Sequence, residues 1–419
     1  MRAELCDGPR VKDAGHSPAP VWNVRFRDGS EQRSAEGPPR FTFCVPSRGF
    51  LRWLFATDVY SAGVAFVRGE FDVDGDLEAA IRLKGWYPGS RFRRRLFRTL
   101  ARGLSIVQKT FQAKNERKRE IGFHYDLSNQ FYRLFLDPRL VYSCAYFRSA
   151  GMTLEQAQLA KLNHICRKLD LQPGEQFLDI GCGWGGLVEQ AIVEYGADAT
   201  GCTLSHAQHA YAAGRIGGGA RIRECDFRDM HGRYDKIASV GMFEHVGLRR
   251  APQYFRKMAE LLAPNGLFLN HAIARAEGVD LDAASLFVGR YIFPGGQLIR
   301  LHETIRAAEE CGFEVLDVEN LRPHYALTCR MWGQRLLANR EAALRLVSEP
   351  VYRAWRIWLA GSALNFEQGL SSIYQVLMSK RGAPRRRITR DALYRDAAGQ
   401  SAEEVTVGQT SDLTPADRT

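Results

Sequence analysis

The sequence predicts an α/β fold, a central and mostly parallel sheet preceded by a small mixed α/β domain. Three observations carry this prediction. From residue 172 onward, short apolar runs alternate with helical stretches in the manner of a parallel sheet with crossover helices. A glycine-rich turn, FLDIGCGWGGL, joins the first of these runs to the first helix. Upstream, residues 20–82 hold short alternating runs such as VWNVRFRDG and AFVRGEFDVDGDL, punctuated by Gly and Asp.

In order along the second region, strands are expected at QFLDIG, DATGCTL, YDKIASVG and GLFLNHAI. Helices are expected at Gly186 to Glu194 and at Ser205 to Gly214. Before this region, Phe92, Leu96, Leu100, Leu104, Val107 and Phe111 recur at helical spacing, and Arg91, Arg93, Arg94, Arg95, Arg98 and Arg102 fill much of the remainder. A helical section, EPVYRAWRIWLAGSALNFEQGLSSIYQVLM, is expected towards the end. An arginine cluster follows, and then a polar tail from residue 396 with the composition of disorder. No internal repeat is visible.

With 419 residues and 45% hydrophobic content, the chain can bury a large core and build more than one domain. No run of about 18 apolar residues occurs, so no span of a bilayer is expected. The first twenty residues lack the apolar core of a secretory signal. Nine cysteines form no Cys-x-x-Cys pair, which speaks against a zinc site or a disulfide framework and for a reducing cytoplasm. The net charge of +11 is concentrated: eleven basic residues and one acid, Glu116, lie between Arg91 and Arg119. Nucleic acid or an anionic membrane surface are the partners such charge suggests. No recognition module accompanies it, so nucleic acid is the weaker option.

The glycine turn places Asp179 at a strand end, followed by Gly181, Gly183, Gly185 and Gly186. Glycines permit a tight turn and close backbone approach to a ligand. A dinucleotide site would read G-x-G-x-x-G, with an acid closing the second strand. Here the acid precedes the first glycine and the second strand ends in GCTLSHAQ, without an acid. The order D-x-G-x-G-x-G resembles that of S-adenosylmethionine-dependent methyltransferases, and a merely tight turn is the remaining alternative.

Further segments occur in one order: FHYDLSNQFYRLFLDPRLVYSCAYF, LDIGCGWGGL, GCTLSHAQ, SVGMFEHVG and YIFPGG. Together they closely resemble the cyclopropane-fatty-acyl-phospholipid synthase family, most strongly over residues 110–380. GEFDVDGDL also resembles the small N-terminal domain of bacterial members that act on phospholipids. The resemblance implies a Rossmann-like methyltransferase domain at 111–395, and a small N-terminal mixed α/β lipid-binding domain at 21–110 that ends in the basic amphipathic helix. A loose leader at 1–20 and a disordered tail at 396–419 flank them.

The positions implied for S-adenosylmethionine are Tyr142, Ser143, Asp179, Gly181, Cys182, Gly183, Trp184, Gly185, Thr203, Leu204, Ser205, Gln208, Asp226 and Phe227. A bicarbonate ion beside the reacting methyl is implied as well, held by Cys144, Glu244, His271, Ile273 and Tyr325. Some members carry a cysteine in the late helical segment where this chain has Ser362, so a nucleophilic cysteine there is excluded.

The implied reaction adds a methylene to a cis double bond of an unsaturated phospholipid acyl chain. An alkene is a poor nucleophile, so the methyl must be held in line with it and away from water. Transfer leaves a carbocation, and loss of a proton from the new methyl closes the ring. A small held oxyanion can take that proton where a carboxylate would risk trapping the cation. Each candidate has a plainer alternative: Cys144 as a small core residue, His245 as a partner of the following turn, the aromatic residues as core. No metal site is expected. The 91–111 segment suits docking on the inner face of a membrane, or equally an interdomain helix. The resemblance is compatible with a homodimer; relatives that stop at methylation or methylenation are the first rival reading, and a methyltransferase of a soluble small molecule is the second.

Overall fold

The computed structural model describes residues 20–86, 127–149, 151–216, 221–279, 283–384 and 390. The expected leader, the 91–111 helix and the polar tail lie outside the described residues.

In chain order the elements begin with β1 (Trp22–Phe26), β2 (Glu31–Arg33), β3 (Phe41–Val45), α1 (Arg48–Ala56), α2 (Val59–Val67), β4 (Asp72–Gly75) and α3 (Leu77–Trp86). Next come α4 (Asn129–Arg133), α5 (Leu154–Lys168), β5 (Gln176–Ile180), α6 (Gly186–Tyr195), β6 (Asp198–Thr203), α7 (His206–Ile216), β7 (Ile222–Glu224) and β8 (Tyr234–Val240). Then follow α8 (Ala251–Leu261), β9 (Leu262–Arg275), α9 (Ala283–Tyr291), α10 (Leu301–Glu310) and β10 (Phe313–Asn320). The last are α11 (Arg322–Ala338), α12 (Arg340–Leu346), α13 (Glu349–Glu367) and β11 (Ser371–Lys380).

Contacts divide the chain into two compact units, and the division is discontinuous. One holds Met1–Phe135, Ala276–Gly296 and Cys329–Leu370; the other holds Leu136–Arg275, Gln297–Thr328 and Ser371–Thr419. The first is mixed α/β. Its sheet runs β2-β1-β3-β4, with β1 parallel to β3 and the other pairs antiparallel. Alternate residues Val24 and Phe26 on β1, and Phe41 and Phe43 on β3, are buried with Leu54, Phe66 and Phe71. The alternating run AFVRGEFDVDGDL is part helix and part strand. Its first residues complete α2, whose cap Asp58 accepts from the Ser61 amide, and only Asp72–Gly75 are extended.

The second unit carries a seven-stranded sheet in the order β10-β11-β9-β8-β5-β6-β7. β5, β6, β7, β8 and β9 are parallel to their neighbours in this set, while β11 lies antiparallel between β9 and β10. Both faces are covered, as a parallel sheet requires. Leu178, Ile180, Ile237 and Phe268 pack with Tyr254 and Phe255 on one face. Phe177, Ala238, Leu269 and Leu377 pack with Leu162, Ile165 and Val188 on the other.

The late helical section needs correction. The helix ends at Glu367, and SSIYQVLM forms β11. Gly369, at φ 72°, ends the helix: its amide bonds to the Phe366 carbonyl, and the next amide to that of Asn365. Within β11 all but Tyr374 and Lys380 are buried, so the strand shows no two-residue polarity period and reads like the continuation of a buried helix.

Candidate active site

The parallel strands end in loops at one edge of the sheet, where ligands of open α/β folds bind. After β5, Gly181, Gly183 and Gly185 all have positive φ, 76°, 55° and 82°. The amides of Gly181 and Cys182 bond to the Cys202 carbonyl on neighbouring β6 at 3.0 and 2.9 Å. A Cβ on Gly181 would lie 2.9 Å from Met242 Cγ, so the glycine loop is packed against the turn that carries Glu244. Cys182 and Trp184 are buried in the protein.

The other cofactor candidates lie along the same edge. After β6, Thr203 Oγ1 donates to Gln208 Oε1 at 2.8 Å and accepts from the Ser205 amide at 3.2 Å, which fixes Thr203–Leu204–Ser205 at the entry to α7. After β7, Asp226 accepts from the Arg228 amide at 2.9 Å and from its guanidinium at 2.8 and 2.7 Å. Burial opposes charge on Asp226, but Arg228 holds its carboxyl below the usual range. Phe227 stands edge-on to Tyr254, ring centres 5.6 Å apart.

Tyr142, Ser143 and Cys144 are held by α5, whose N-terminus is fixed by a Thr153–Gln156 capping box. Gln158 Nε2 donates to the carbonyls of Val141 at 3.3 Å and Ser143 at 2.9 Å. Lys161 Nζ donates to Ser143 Oγ at 2.8 Å. Burial pushes Lys161 down to about 8, opposed chiefly by the Asp137 charge. Asp179 is pushed up to about 7 by burial, with Lys161 pulling the other way. Its Oδ1 is buried with no hydrogen-bond partner among the described residues.

Glu244 sits in a single 3-10 turn, Phe243–His245, just after β8. Gly241, at φ 68°, starts the turn and donates to the His271 carbonyl at 2.9 Å. The Gln297 amide bonds to the Glu244 carbonyl at 2.9 Å and secures the turn from behind. Glu244 Oε1 accepts from the Ile273 amide at 2.8 Å, while Oε2 is buried without a partner among the described residues. Burial pushes this carboxyl up to about 7 despite the amide bond. His245, in the same turn, is pushed down to about 4 by burial, in keeping with a neutral turn residue.

His271 and Ile273 are two residues apart on β9 and therefore share a face. His271 is fully buried, and its Nε2 also lacks a partner among the described residues. Burial, joined by the charges of Lys161 and Lys168, keeps the ring neutral. Ile273 packs in one cluster with Cys144, Tyr325, Tyr146, Leu321 and Ile373. Cys144, Ile273 and Tyr325 thus pack together, Glu244 joins them through the Ile273 amide, and His271 lies on the same face of β9 as Ile273. Cys144 enters this patch as a core side chain: its thiol is fully buried and directed at the Ala145 and Leu321 carbonyls, at 3.2 and 3.8 Å.

A polar layer that the sequence did not single out supports this patch. His164 and Lys168 of α5 each reach Glu319 Oε2 at 2.6 Å, and Lys168 also reaches Asp317 at 3.1 Å. Burial opposes charge on Glu319, yet His164 and Lys168 hold it down to about 2. Tyr146 stacks between the rings of His164 and His324, centres 4.4 and 4.9 Å away. The available signal was polar residues at 158, 161, 164 and 168, a helical spacing that ordinarily marks a solvated face.

Residues 112–376 match the family model of mycolic acid cyclopropane synthetase, a span that includes every site residue above. A probable fatty acid methyltransferase of Pseudomonas putida is 38% identical over 356 residues, 82% of this chain and 88% of its own. Cyclopropane mycolic acid synthase MmaA2 of Mycobacterium tuberculosis is 35% identical over 277 residues, 62% of this chain and 96% of its own. The solved structure of MmaA2 aligns with a TM-score of 0.61 at 34% identity, covering 63% of this chain and 98% of that one. That of mycolic acid cyclopropane synthase CmaA1 complexed with SAH and CTAB aligns at 0.60 and 35%, with the same coverages. The chain belongs to the mycolic acid cyclopropane synthetase family of S-adenosylmethionine-dependent methyltransferases.

Proposed function

We propose that this protein converts cis-unsaturated phospholipid acyl chains to cyclopropane chains. The observation that carries the reading is a pair of buried polar atoms without a partner among the described residues, Glu244 Oε2 and His271 Nε2, beside the cluster of Cys144, Ile273 and Tyr325. Native proteins rarely bury such atoms without a partner, so a small polar guest fits here. Bound S-adenosylmethionine supplies the methyl group, and bound bicarbonate supplies a proton acceptor beside it.

The chain's own residues do the rest. Thr203–Gln208, Asp226 and the glycine loop receive the cofactor at the strand ends. Glu244, with a carboxyl that keeps its proton into the neutral range, can donate to an oxyanion rather than repel it. Tyr325 and Ile273 complete the holder, and the apolar side chains packed with them, Leu321 and Ile373, keep out water that would quench a carbocation. Ala in place of Glu244 should abolish turnover and leave S-adenosylmethionine binding nearly intact; a parallel loss of binding would make the residue structural.

Among the described residues no helix is long and apolar enough to cross a membrane. We place the protein in the cytoplasm, bound peripherally to the anionic inner face through the basic 91–111 segment, with a homodimer strengthening attachment by avidity. Neutralising Arg93, Arg94 and Arg95 should reduce sedimentation with anionic vesicles; unchanged sedimentation would remove this part.

The similarity to a probable fatty acid methyltransferase favours one second reading, a methylated or methylenated chain. Both are tested by incubating the full chain with S-adenosylmethionine and vesicles of cis-unsaturated phosphatidylglycerol, then analysing fatty-acid methyl esters by mass spectrometry. A product heavier by CH₂ that resists mild hydrogenation is the cyclopropane. One of that mass that takes up hydrogen supports the second reading. Unaltered lipid with bound cofactor would point to a soluble acceptor.

A further inference from the structure

Three strands place Glu319, Gln375 and His271 in one row across the sheet, because Gln375 of β11 is the register partner of both others. Gln375 and His271 are fully buried. Gln375 Nε2 lies 3.2 Å from His271 Nδ1, while Gln375 Oε1 and His271 Nε2 have no partner among the described residues. An amide nitrogen can only donate, so Nδ1 must accept, and a neutral imidazole then carries its single proton on Nε2.

We propose that Gln375 is a positioning residue, which fixes His271 as the Nε2–H tautomer so that the ring offers a donor to an oxyanion in the patch beside Glu244. This rests on the oxyanion reading given above. The layer beneath supports it: His164 and Lys168 engage Glu319 at the other end of the row, which leaves Gln375 turned to His271. The cations Lys161 and Lys168 near the ring further disfavour an imidazolium. With Nε2–H fixed, His271 would hold the anion in place and would not itself accept the substrate proton.

The test is nitrogen NMR of the full chain labelled with ¹⁵N-histidine, with the His271 signals identified by their loss in His271→Asn. The expected wild-type spectrum has a pyridine-type Nδ1 and a pyrrole-type Nε2. A protonated Nδ1 would mean the amide is turned to present its oxygen, and would overturn the proposal. In Gln375→Leu, the bicarbonate concentration giving half-maximal turnover should rise roughly tenfold, the effect of loosening one hydrogen bond to a charged group. S-adenosylmethionine affinity should stay unchanged, which also shows that the variant is folded. An unchanged bicarbonate dependence in folded Gln375→Leu overturns the proposal; if that variant fails to fold, the wild-type spectrum decides. Wild-type turnover indifferent to bicarbonate, with Nε2 protonated, would sink the oxyanion reading and leave the tautomer assignment standing.

Discussion

Lys161 donates a 2.8 Å hydrogen bond to the hydroxyl of Ser143, and both residues are buried. The ammonium also lies within electrostatic reach of Asp137 and Asp179. One side chain therefore links the segment Tyr142–Cys144 to the first acid of the glycine loop. Lys161→Met should leave the Ser143 hydroxyl without its donor, the carbonyl still held by Gln158, and Asp179 without its cation. Loss of one hydrogen bond to a charged group, about 1.5–3 kcal/mol, predicts roughly a tenfold or greater weakening of S-adenosylmethionine binding. Titration calorimetry checks this, and unchanged affinity would show that the segment is held by Gln158 alone.

Glu244 links the site to stability through pH. Its folded pKa of about 7 lies above the ordinary 4.5, so the folded state holds the proton more tightly than the unfolded one. The associated stability is complete below pH 4.5 and falls as pH rises to about 7. Glu244→Gln removes the cost of ionising a buried carboxyl. The variant should match the wild type at pH 4.5 and exceed it by about 2–4 kcal/mol above pH 7, at 1.36 kcal/mol per unit. Urea denaturation at the two pH values measures the difference, and a constant difference would refute it.

The parts of the fold that the sequence made legible were those with a local cause. The strand ends at Ile180 and Thr203 and the glycine turn follow from apolar runs and from φ values that glycine favours. Asp179 and Thr203 lie at the C-terminal ends of β5 and β6, and Glu244 in the turn after β8, so their grouping at one edge could be anticipated. Strand β11 was not legible, because burial on both faces removes the polar alternation that distinguishes strand from helix. Gln375 was lost with it. Lys161, His164 and Lys168 were hidden for a different reason: charged residues at helical spacing describe a solvated face, and only tertiary packing against Glu319 and Ser143 buries them.

Two glycines of the loop separate backbone strain from packing. Gly181 and Gly183 both have positive φ, but only at Gly181 would a Cβ meet a neighbour, Met242 Cγ at 2.9 Å; at Gly183 nothing lies within 4 Å. Gly183→Ala should cost about 1–2 kcal/mol, the left-handed backbone term. Gly181→Ala should cost about 1 kcal/mol more and should also depress turnover, because Met242 leads into the turn that carries Glu244. Equal costs in thermal melts would mean that Met242 moves aside freely.

Arg353 tests the first unit by itself. It is 9% exposed, and its guanidinium reaches Asp72 at 2.8 Å, Glu349 at 3.1 Å and the carbonyls of Phe66 and Phe71 at 3.3 Å. It also lies 5.2 Å from the centre of the Phe66 ring. These contacts tie α13 to the end of α2 and the start of β4, two points separated by the tight turn at Gly69. Arg353→Met leaves Asp72 with Arg356 at 3.5 Å and both carbonyls without this donor. Asp72 is partly exposed, so the loss should be about 3 kcal/mol, the lower end for a buried ion pair. Arg353→Lys keeps the charge but not the planar fork, and about 1–3 kcal/mol should be lost. Urea denaturation of the full chain reads both values. A loss below about 1 kcal/mol for the methionine variant would show that Arg356, already bonded to the Val73 carbonyl at 2.9 Å, takes over the carboxylate.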